Sequence, residues 1–231
     1  MGGYCQSGQI LGSTANGATV NGYVIETVEE YRKLRGDGSH LLYDKSMTVI
    51  DSHIRDFLAM TTFITVASSD AEGRMDVSPK GDPPGFVQIV DDRTIAIPER
   101  EGNRRADTFT NILQNPNVAL ICLVPGMNET MRINGTASLT TDPDLLAGMS
   151  YKGHDPVLAM LVHVEEAFIH CGKAPRRGRL WDADAQIDRS TYPKMGEVMF
   201  DHGQYEDVTR ERMTEIAQWD YDNNVYPSEV D

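Results

Sequence analysis

The sequence has few cysteines, no long apolar run and a shortage of positive charge. Its three cysteines, Cys5, Cys122 and Cys171, are odd in number and widely spaced, which excludes a disulfide framework and favours a reducing cytoplasm. No run of about 18 apolar residues occurs, so no membrane-spanning helix is expected. The 21 basic and 35 acidic residues give a net charge of −14, which argues against nucleic acid or a membrane surface as a partner.

The chain has 231 residues, of which 40% are hydrophobic, as is ordinary for a globular protein. That length fits one domain with tails. Residues 1–21 are rich in Gly, Ser, Thr and Asn and predict a flexible or loosely docked leader. The domain is expected over residues 22–200. Residues 201–231 are expected to be a polar extension with a helix from Val208 to Trp219.

Hydrophobic periodicity and turn residues predict a mainly β protein with peripheral helices. A capping box at Thr27–Glu30 opens a helix that ends near Gly36, and a second helix is expected over 46–60. The expected strands are 63–67, 74–78, 86–90, 94–97, 118–124, 130–140 and 158–171. Core candidates on the last strand are Val162, Val164 and Ile169. Because the strands follow mostly in hairpin order, we expect a six-stranded antiparallel barrel.

Two adjacent cations, Arg104 and Arg105, mark the first candidate site. Residues 102–113 have the spacing of an amphipathic helix, for which Asn103 is a natural N-cap. Two cations in a first helical turn oppose the helix dipole, at a cost of roughly 0.3 to 1 kcal/mol each. A bound phosphate would offset that cost. The alternative, equally supported, is two solvated arginines that pair with Glu99, Glu101 or Asp107.

A second basic segment, Arg74 to Gly85, begins as a strand and becomes rich in proline and glycine. Pro79, Pro83 and Pro84 cannot donate to a β-ladder, so the chain is expected to leave the sheet there. Lys80 would then lie at the edge of a pocket. The alternative is a Pro-rich surface loop with a solvated lysine.

Histidine and cysteine do not form a recognisable catalytic or metal site. His170 and Cys171 end a strand and are interpreted as a core histidine beside an inert thiol. No histidine has a companion at metal-ligand spacing, so no metal is expected. No side chain stands out as a general acid or base.

Four ordered blocks of sequence resemble the pyridoxamine 5′-phosphate oxidase-like family of FMN-binding split barrels, in particular a bacterial branch of FMN-dependent enzymes. The blocks are Asp76–Phe86, Ile97–Arg105, Pro125–Gly135, and His170–Ala174 with Arg179–Asp182. The resemblance spans about residues 22 to 200. It implies a six-stranded antiparallel split barrel and a homodimer with two FMN sites, each built from both chains.

The resemblance also implies roles for individual residues. Asn103, Arg104 and Arg105 would hold the FMN phosphate, and Ile97 and Pro98 would pack near the flavin ring and ribityl chain. Val77, Ser78 and Lys80 would lie along the flavin, with Arg74 as the other member of the basic pair in that segment. From the second subunit would come Thr130, Arg132, Arg179 and Trp181.

The function implied is an FMN-dependent oxidoreductase that transfers hydride to or from a small substrate, anionic in character, or a reduced nicotinamide. Arg176, Arg177 and Arg179 would orient that substrate. Thr130 replaces a family glutamine and the Arg74–Lys80 spacing is one residue wider, so pyridoxamine phosphate is not the expected substrate. The alternatives are a non-catalytic flavin-storage protein, or a split barrel that uses the deazaflavin F420 or binds haem.

Overall fold

The computed structural model describes residues 24–40, 43–100, 102, 105–203 and 205–224. It divides into two units, residues 1–44 and 45–231. The described part of the first unit holds helix α1 (Val28–Arg35), whose Thr27 and Glu30 form the predicted capping box and which ends at Gly36. The predicted leader, residues 1–21, lies outside the described residues.

The second unit is built on an antiparallel sheet, which confirms the predicted fold class. Its strands are β1 (Phe63–Ser69), β2 (Met75–Gly81), β3 (Gln88–Ile89), β4 (Thr94–Pro98), β5 (Asn117–Leu123), β6 (Thr130–Thr140) and β7 (Ala159–His170). The strand order is β2-β1-β5-β6-β7-β4-β3. Each of the seven predicted strand segments thus contains a strand among the described residues, whereas the expected barrel had six strands, and one of the seven, β3, has only two residues.

Helices surround the sheet. They are α2 (Ser52–Met60), α3 (Asp107–Gln114), α4 (Pro143–Ala147), α5 (Lys173–Arg177), α6 (Met195–His202) and α7 (Arg210–Asn223). The helix predicted over 46–60 begins only at Ser52, because the Asp51 side chain caps it by accepting from Ile54 N–H. The C-terminal helix is present as α7, whereas α5 and α6 were not predicted. Within the described residues, no helix is long and apolar enough to cross a membrane.

The main core lies on one face of the sheet, and a smaller apolar cluster lies on the other face of β4 and β7. Along β1, Ile64 and Val66 are fully buried, whereas Thr65 between them is only half-buried on the opposite face. Val162 and Val164 of β7 are buried as predicted, but Ile169 is 41% exposed, so its assignment to the core is wrong. Side chains from β1 and β4, the strands second from each end of the sheet order, join one apolar cluster.

Two ion pairs show that the sheet curls until its ends nearly meet. In a flat sheet of this order β2 and β4 would be about 24 Å apart, five strand spacings. Nevertheless, Lys80 Nζ of β2 lies 2.7 Å from Glu99 Oε2, just after β4. Similarly, Arg100 Nε lies 2.6 Å from Asp82 Oδ2, just after β2. Among the described residues no strand pairing joins β2 to β4 or β3, so the barrel stays open along this line.

The proline-rich segment stays in the sheet longer than predicted. Strand β2 continues through Pro79, which lies opposite Thr65, and ends at Gly81. This is possible because β2 is an edge strand, where a residue without N–H can face away from the neighbouring strand. The prediction that the chain leaves the sheet at Pro79 is therefore wrong. Beyond Gly81, the Asp82 N–H still donates to Thr62 O at 3.1 Å.

The turn between β1 and β2 is organised by one carboxylate. Asp70 accepts hydrogen bonds from Arg74 N–H at 2.9 Å and from Glu72 N–H at 3.0 Å. The Arg74 guanidinium also pairs with Asp70. The backbone donation from Arg74 holds the pKa of Asp70 below its ordinary value, although burial acts against it.

Substitution Asp70→Asn should therefore destabilise the protein at neutral pH and not in acid. A carboxyl with a lowered pKa in the folded state stabilises it above the unfolded pKa of about 3.9, and that contribution is lost as the pH falls through the folded value. Thermal unfolding followed by circular dichroism should show Asp70→Asn melting several degrees below the wild type at neutral pH. The difference should shrink towards zero near pH 3. Equal melting temperatures at neutral pH would contradict this role.

Candidate functional site

A cavity of about 630 Å³ opens between β2, the end of β4 and the start of α3. Its size is that of a small-molecule site. It is lined by Asp76, Val77, Ser78, Pro79, Lys80, Gly81, Asp82, Phe86, Pro98, Glu99, Arg100, Gly102, Arg105, Ala106, Asp107, Thr108 and Phe109. The cavity thus lies beside the open line of the barrel, next to the two ion pairs that cross it.

The structure brings five of the predicted site residues together in this cavity. They are Val77, Ser78, Lys80, Pro98 and Arg105. The expectation that Lys80 lies at the edge of a pocket is confirmed. Ile97 lies beneath the lining in the apolar core, 1% exposed. Asn103 and Arg104 lie outside the described residues, and Arg74 is held in the β1–β2 turn rather than in the lining.

The predicted start of the cavity helix is wrong. Helix α3 begins at Asp107, with Ala106 as its N-cap in a left-handed conformation, φ 58°. Arg105 therefore precedes the helix and does not lie in its first turn. Alanine carries no side-chain acceptor, so α3 starts without a side-chain cap. The first turn of a helix has N–H groups with no partner inside the helix, and here no side chain of the capping residue satisfies them.

A buried hydroxyl in the first turn of α3 also lacks a partner. Thr108 is 2% exposed, and its Oγ1 makes no hydrogen bond within the described part of the chain. On the next turn, by contrast, Asn111 Nδ2 donates to Ser68 Oγ at 3.0 Å. A buried hydroxyl without a partner costs free energy. Thr108 lines the cavity, so rotation of its side chain would bring the hydroxyl to a polar ligand atom there.

Arg105 lies at the mouth of the cavity, with 79% of its side chain exposed. Its guanidinium is hydrogen-bonded to the Asp107 carboxylate, which raises the pKa of Arg105. The pairing with Asp107 considered from the sequence is therefore present. An exposed pair of this kind is weak, so a phosphate can engage the same guanidinium at small cost.

Lys80 is more deeply placed and is held by two neighbours. Its side chain is only 14% exposed and its ammonium lies 2.7 Å from Glu99 Oε2. The same Nζ lies 4.5 Å from the centre of the Phe109 ring, in the arrangement of a cation–π contact. These contacts fix the ammonium at the cavity wall.

The cavity lining is not uniformly positive. Its described residues include four carboxylates, on Asp76, Asp82, Glu99 and Asp107, and three cations, on Lys80, Arg100 and Arg105. An anionic ligand would therefore depend on local contacts at the start of α3 rather than on the field of the whole cavity. Within the described residues, no cluster of histidine, cysteine or carboxylate side chains has the arrangement of a metal site.

Arg100 is a structural residue that the sequence reasoning missed. Besides its pair with Asp82, its guanidinium donates to Met149 O at 2.8 Å and to His154 O at 3.4 Å. Asp82 is almost completely buried, with 2% of its side chain exposed. Arg100 and Asp82 both lie in the sequence blocks that resemble the family, and this location could have marked them as candidate site residues. The sequence does not show that they pair with each other.

Four residues assigned to a second subunit lie away from the cavity of their own chain. Thr130 is buried on β6, and the Arg132 guanidinium lies over the Phe168 ring at 5.3 Å. Arg179 pairs with Asp182 at 2.8 Å and with Asp184 at 2.6 Å, which raises its pKa. Trp181 Nε1 donates to Met127 O at 2.6 Å. Their assignment to a partner's site stays a prediction.

The structure corrects the interpretation of His170 and Cys171. Both are exposed at the end of β7, so His170 is not a core histidine. The buried thiol is Cys122, which is fully enclosed, and burial raises its pKa to about 12. Cys122 is therefore inert, whereas Cys171 is an accessible free thiol.

Comparisons with known proteins identify the family. Among solved structures the chain is similar to HupZ of group A Streptococcus, with 22% identity over 52% of this chain and 93% of that one and a TM-score of 0.42. It is also similar to HutZ, the haem storage protein of Vibrio cholerae, with 19% identity over 52% of this chain and 94% of that one and a TM-score of 0.38. At these sequence identities and TM-scores, the similarities do not indicate which ligand this protein binds or which activity it has.

A search of curated proteins finds no match. The family model for pyridoxamine 5′-phosphate oxidase matches residues 50–171, which include β1 to β7 and all of the cavity-lining residues named above. That match covers more than half of the chain. The protein therefore belongs to the pyridoxamine 5′-phosphate oxidase family.

Proposed function

We propose that the protein is an FMN-dependent oxidoreductase whose site is completed by a second copy of the chain. The observation that carries the proposal is the start of α3, where three features meet in the cavity wall. Ala106 supplies no side-chain cap, the Thr108 hydroxyl has no partner in the described residues, and Arg105 presents a guanidinium. Together they form a site whose unmet hydrogen bonds call for an oxyanion.

A phosphate fits this donor set. Its oxygens accept hydrogen bonds from first-turn N–H groups, from the threonine hydroxyl and from the guanidinium, and its charge is favoured by the helix dipole. Asn103 and Arg104, which immediately precede this turn in sequence, add a further amide and cation to the proposed phosphate site.

The remainder of the cavity suits a flavin ring. Val77, Ser78 and Pro98 line it, and the Lys80 ammonium provides positive charge at its wall. Ile97 supports Pro98 from the core. When bound, FMN supplies hydride transfer, accepting or donating two electrons and a proton with the substrate. The protein's contribution is to bind the phosphate, orient the ring and hold a cation near it.

Haem is the weaker alternative. Haem iron takes histidine, cysteine, methionine or tyrosine as axial ligand. Among the described lining residues none is of these four types. The deazaflavin F420 is not distinguished from FMN by the lining, and competition between FMN, F420 and haem for the purified protein compares all three directly.

A second copy of the chain would cover an apolar face next to the cavity. On the outer face of β1, β2 and β5, Phe63 and Ile121 are each 41% exposed, Val77 is 59% exposed and Met75 is 70% exposed. Val77 also lines the cavity, so this face and the cavity are continuous. Burial of this face in a homodimer would enclose the site and bring Thr130, Arg132, Arg179 and Trp181 of the partner towards it.

The substrate proposed is small, either anionic or a reduced nicotinamide, and the exposed Arg176, Arg177 and Arg179 would orient it. The accessible Cys171 thiol fits a reducing cytoplasm.

Catalysis is separated from flavin storage by steady-state oxidation of NADH or NADPH in the presence of FMN and a panel of acceptors. A storage protein would bind FMN tightly and oxidise neither nicotinamide.

Substitution Arg105→Ala should weaken FMN binding at least tenfold, because a charge-assisted phosphate contact contributes about 1.5 kcal/mol or more. Fluorescence quenching of FMN on titration with the apoprotein measures the dissociation constant. Riboflavin, which has no phosphate, should bind the wild type and Arg105→Ala equally.

The matched control is Arg212→Ala, which removes a guanidinium that pairs with Glu215 at 3.1 Å on α7, away from the cavity. It should bind FMN like the wild type. Unchanged FMN affinity in Arg105→Ala would refute the phosphate assignment. A wild-type protein that binds no FMN would refute the proposed cofactor.

Substitution Ile121→Glu should convert the protein from dimer to monomer, because it places a charge in the apolar face proposed for the interface. Size-exclusion chromatography with light scattering measures the mass. The control is Ile187→Glu, at an isoleucine that is 73% exposed and lies outside this face. A wild type that is monomeric, or an Ile121→Glu variant that remains dimeric, would contradict the proposed interface.

A further inference from the structure

Lys80 and Glu99 form an internal charge pair at the wall of the proposed flavin site. The ammonium and the carboxylate are 2.7 Å apart, and their side chains are 14% and 27% exposed. Both residues line the cavity. A pair so far removed from water is screened less than a surface pair, so each charge strongly alters what a ligand in the cavity experiences.

The two charges come from opposite sides of the open barrel. Lys80 lies in β2 and Glu99 directly follows β4, while Phe109 of α3 covers the ammonium at 4.5 Å. The neighbouring Asp82–Arg100 pair spans the same line but is anchored further by two backbone carbonyls that accept from Arg100. That second pair already ties the two sides together. Both pairs line the cavity, but Lys80 lies on β2 beside Val77 and Ser78, the residues proposed to lie along the flavin.

We infer that Glu99 sets the reduction potential of the bound flavin by offsetting the charge of Lys80. This inference rests on the proposed FMN function and concerns the regulation of that same site. Reduction adds negative charge to a flavin, so a cation at the wall favours the reduced form and a carboxylate at the wall favours the oxidised form. With both charges present, the pair as a unit is close to neutral. Glu99 therefore acts as a positioning and charge-balancing residue.

Two substitutions should change the potential in opposite directions. Glu99→Gln keeps the shape and hydrogen-bonding capacity of the side chain but leaves Lys80 unbalanced. It should favour reduced over oxidised FMN by about tenfold, which for a two-electron couple is a positive shift of about 30 mV. Lys80→Met removes the cation and leaves Glu99, so it should shift the potential in the negative direction by a similar amount.

The measurement is spectroelectrochemical titration of FMN bound to each full-length variant. Glu99→Asp retains the negative charge and should stay near the wild-type potential. The control Glu215→Gln makes the same chemical change in an exposed pair with Arg212 on α7, outside the cavity lining, and should leave the potential unchanged.

The outcomes separate this inference from the function on which it rests. If Glu99 only helped to hold the fold together, Glu99→Gln and Lys80→Met would lower the melting temperature together and would not shift the potential in opposite directions. That result, or two unchanged potentials in proteins that bind FMN, would overturn the inference and leave the FMN site intact. A wild type without FMN binding would overturn both. If Glu99→Gln does not fold, the Lys80→Met variant decides. A negative shift of its potential supports the inference, and an unchanged or positive potential overturns it.

Discussion

The architecture of the site depends on the way in which the sheet is closed without backbone hydrogen bonds. Strands β2 and β4 lie at nearly opposite ends of the sheet order, yet Lys80 meets Glu99 and Asp82 meets Arg100 across the gap. In a fully closed barrel, ladder bonds would fill that line and leave no room beside it. Here side-chain charges join the two sides, so backbone and side chains on both sides remain available to line a cavity.

Ion pairs with little exposure to solvent are an energetically costly way to join the two sides of the open barrel. Desolvation of two charges costs nearly as much as their attraction returns, so such a pair adds little net stability, but removal of one partner leaves an unpaired charge and is costly. In the Asp82–Arg100 pair, hydrogen bonds from the Arg100 guanidinium to two backbone carbonyls help to offset the desolvation cost. The pair lines the same cavity as the start of α3, where the Thr108 hydroxyl has no partner among the described residues.

The elements that depend on local pattern could be predicted from sequence, and the contacts between distant segments could not. Strand alternation and the capping box at Thr27–Glu30 depend on neighbouring residues, and both agree with the structure. The prediction that the chain leaves the sheet at Pro79 is wrong because the effect of a proline depends on whether its strand is an edge strand, which is a property of the whole sheet. The prediction that His170 lies in the core is wrong because the last residues of β7 are exposed. Sequence blocks located the cavity segments, but not the pairing of their charges.

The proposed binding of an anionic cofactor to an acidic protein poses an electrostatic problem that has to be solved locally. The whole chain carries a net charge of −14, and the described cavity lining has more carboxylates than cations. A general attraction for anions is therefore absent, and affinity has to come from short-range donors held in place before the ligand arrives. The uncapped first turn of α3 provides such donors, because its N–H groups are fixed by the helix and cannot be neutralised by a distant carboxylate. In the proposed site, selectivity for a terminal phosphate would follow from hydrogen-bond geometry, and Lys80 and Glu99 would be free to set the reduction potential of the flavin.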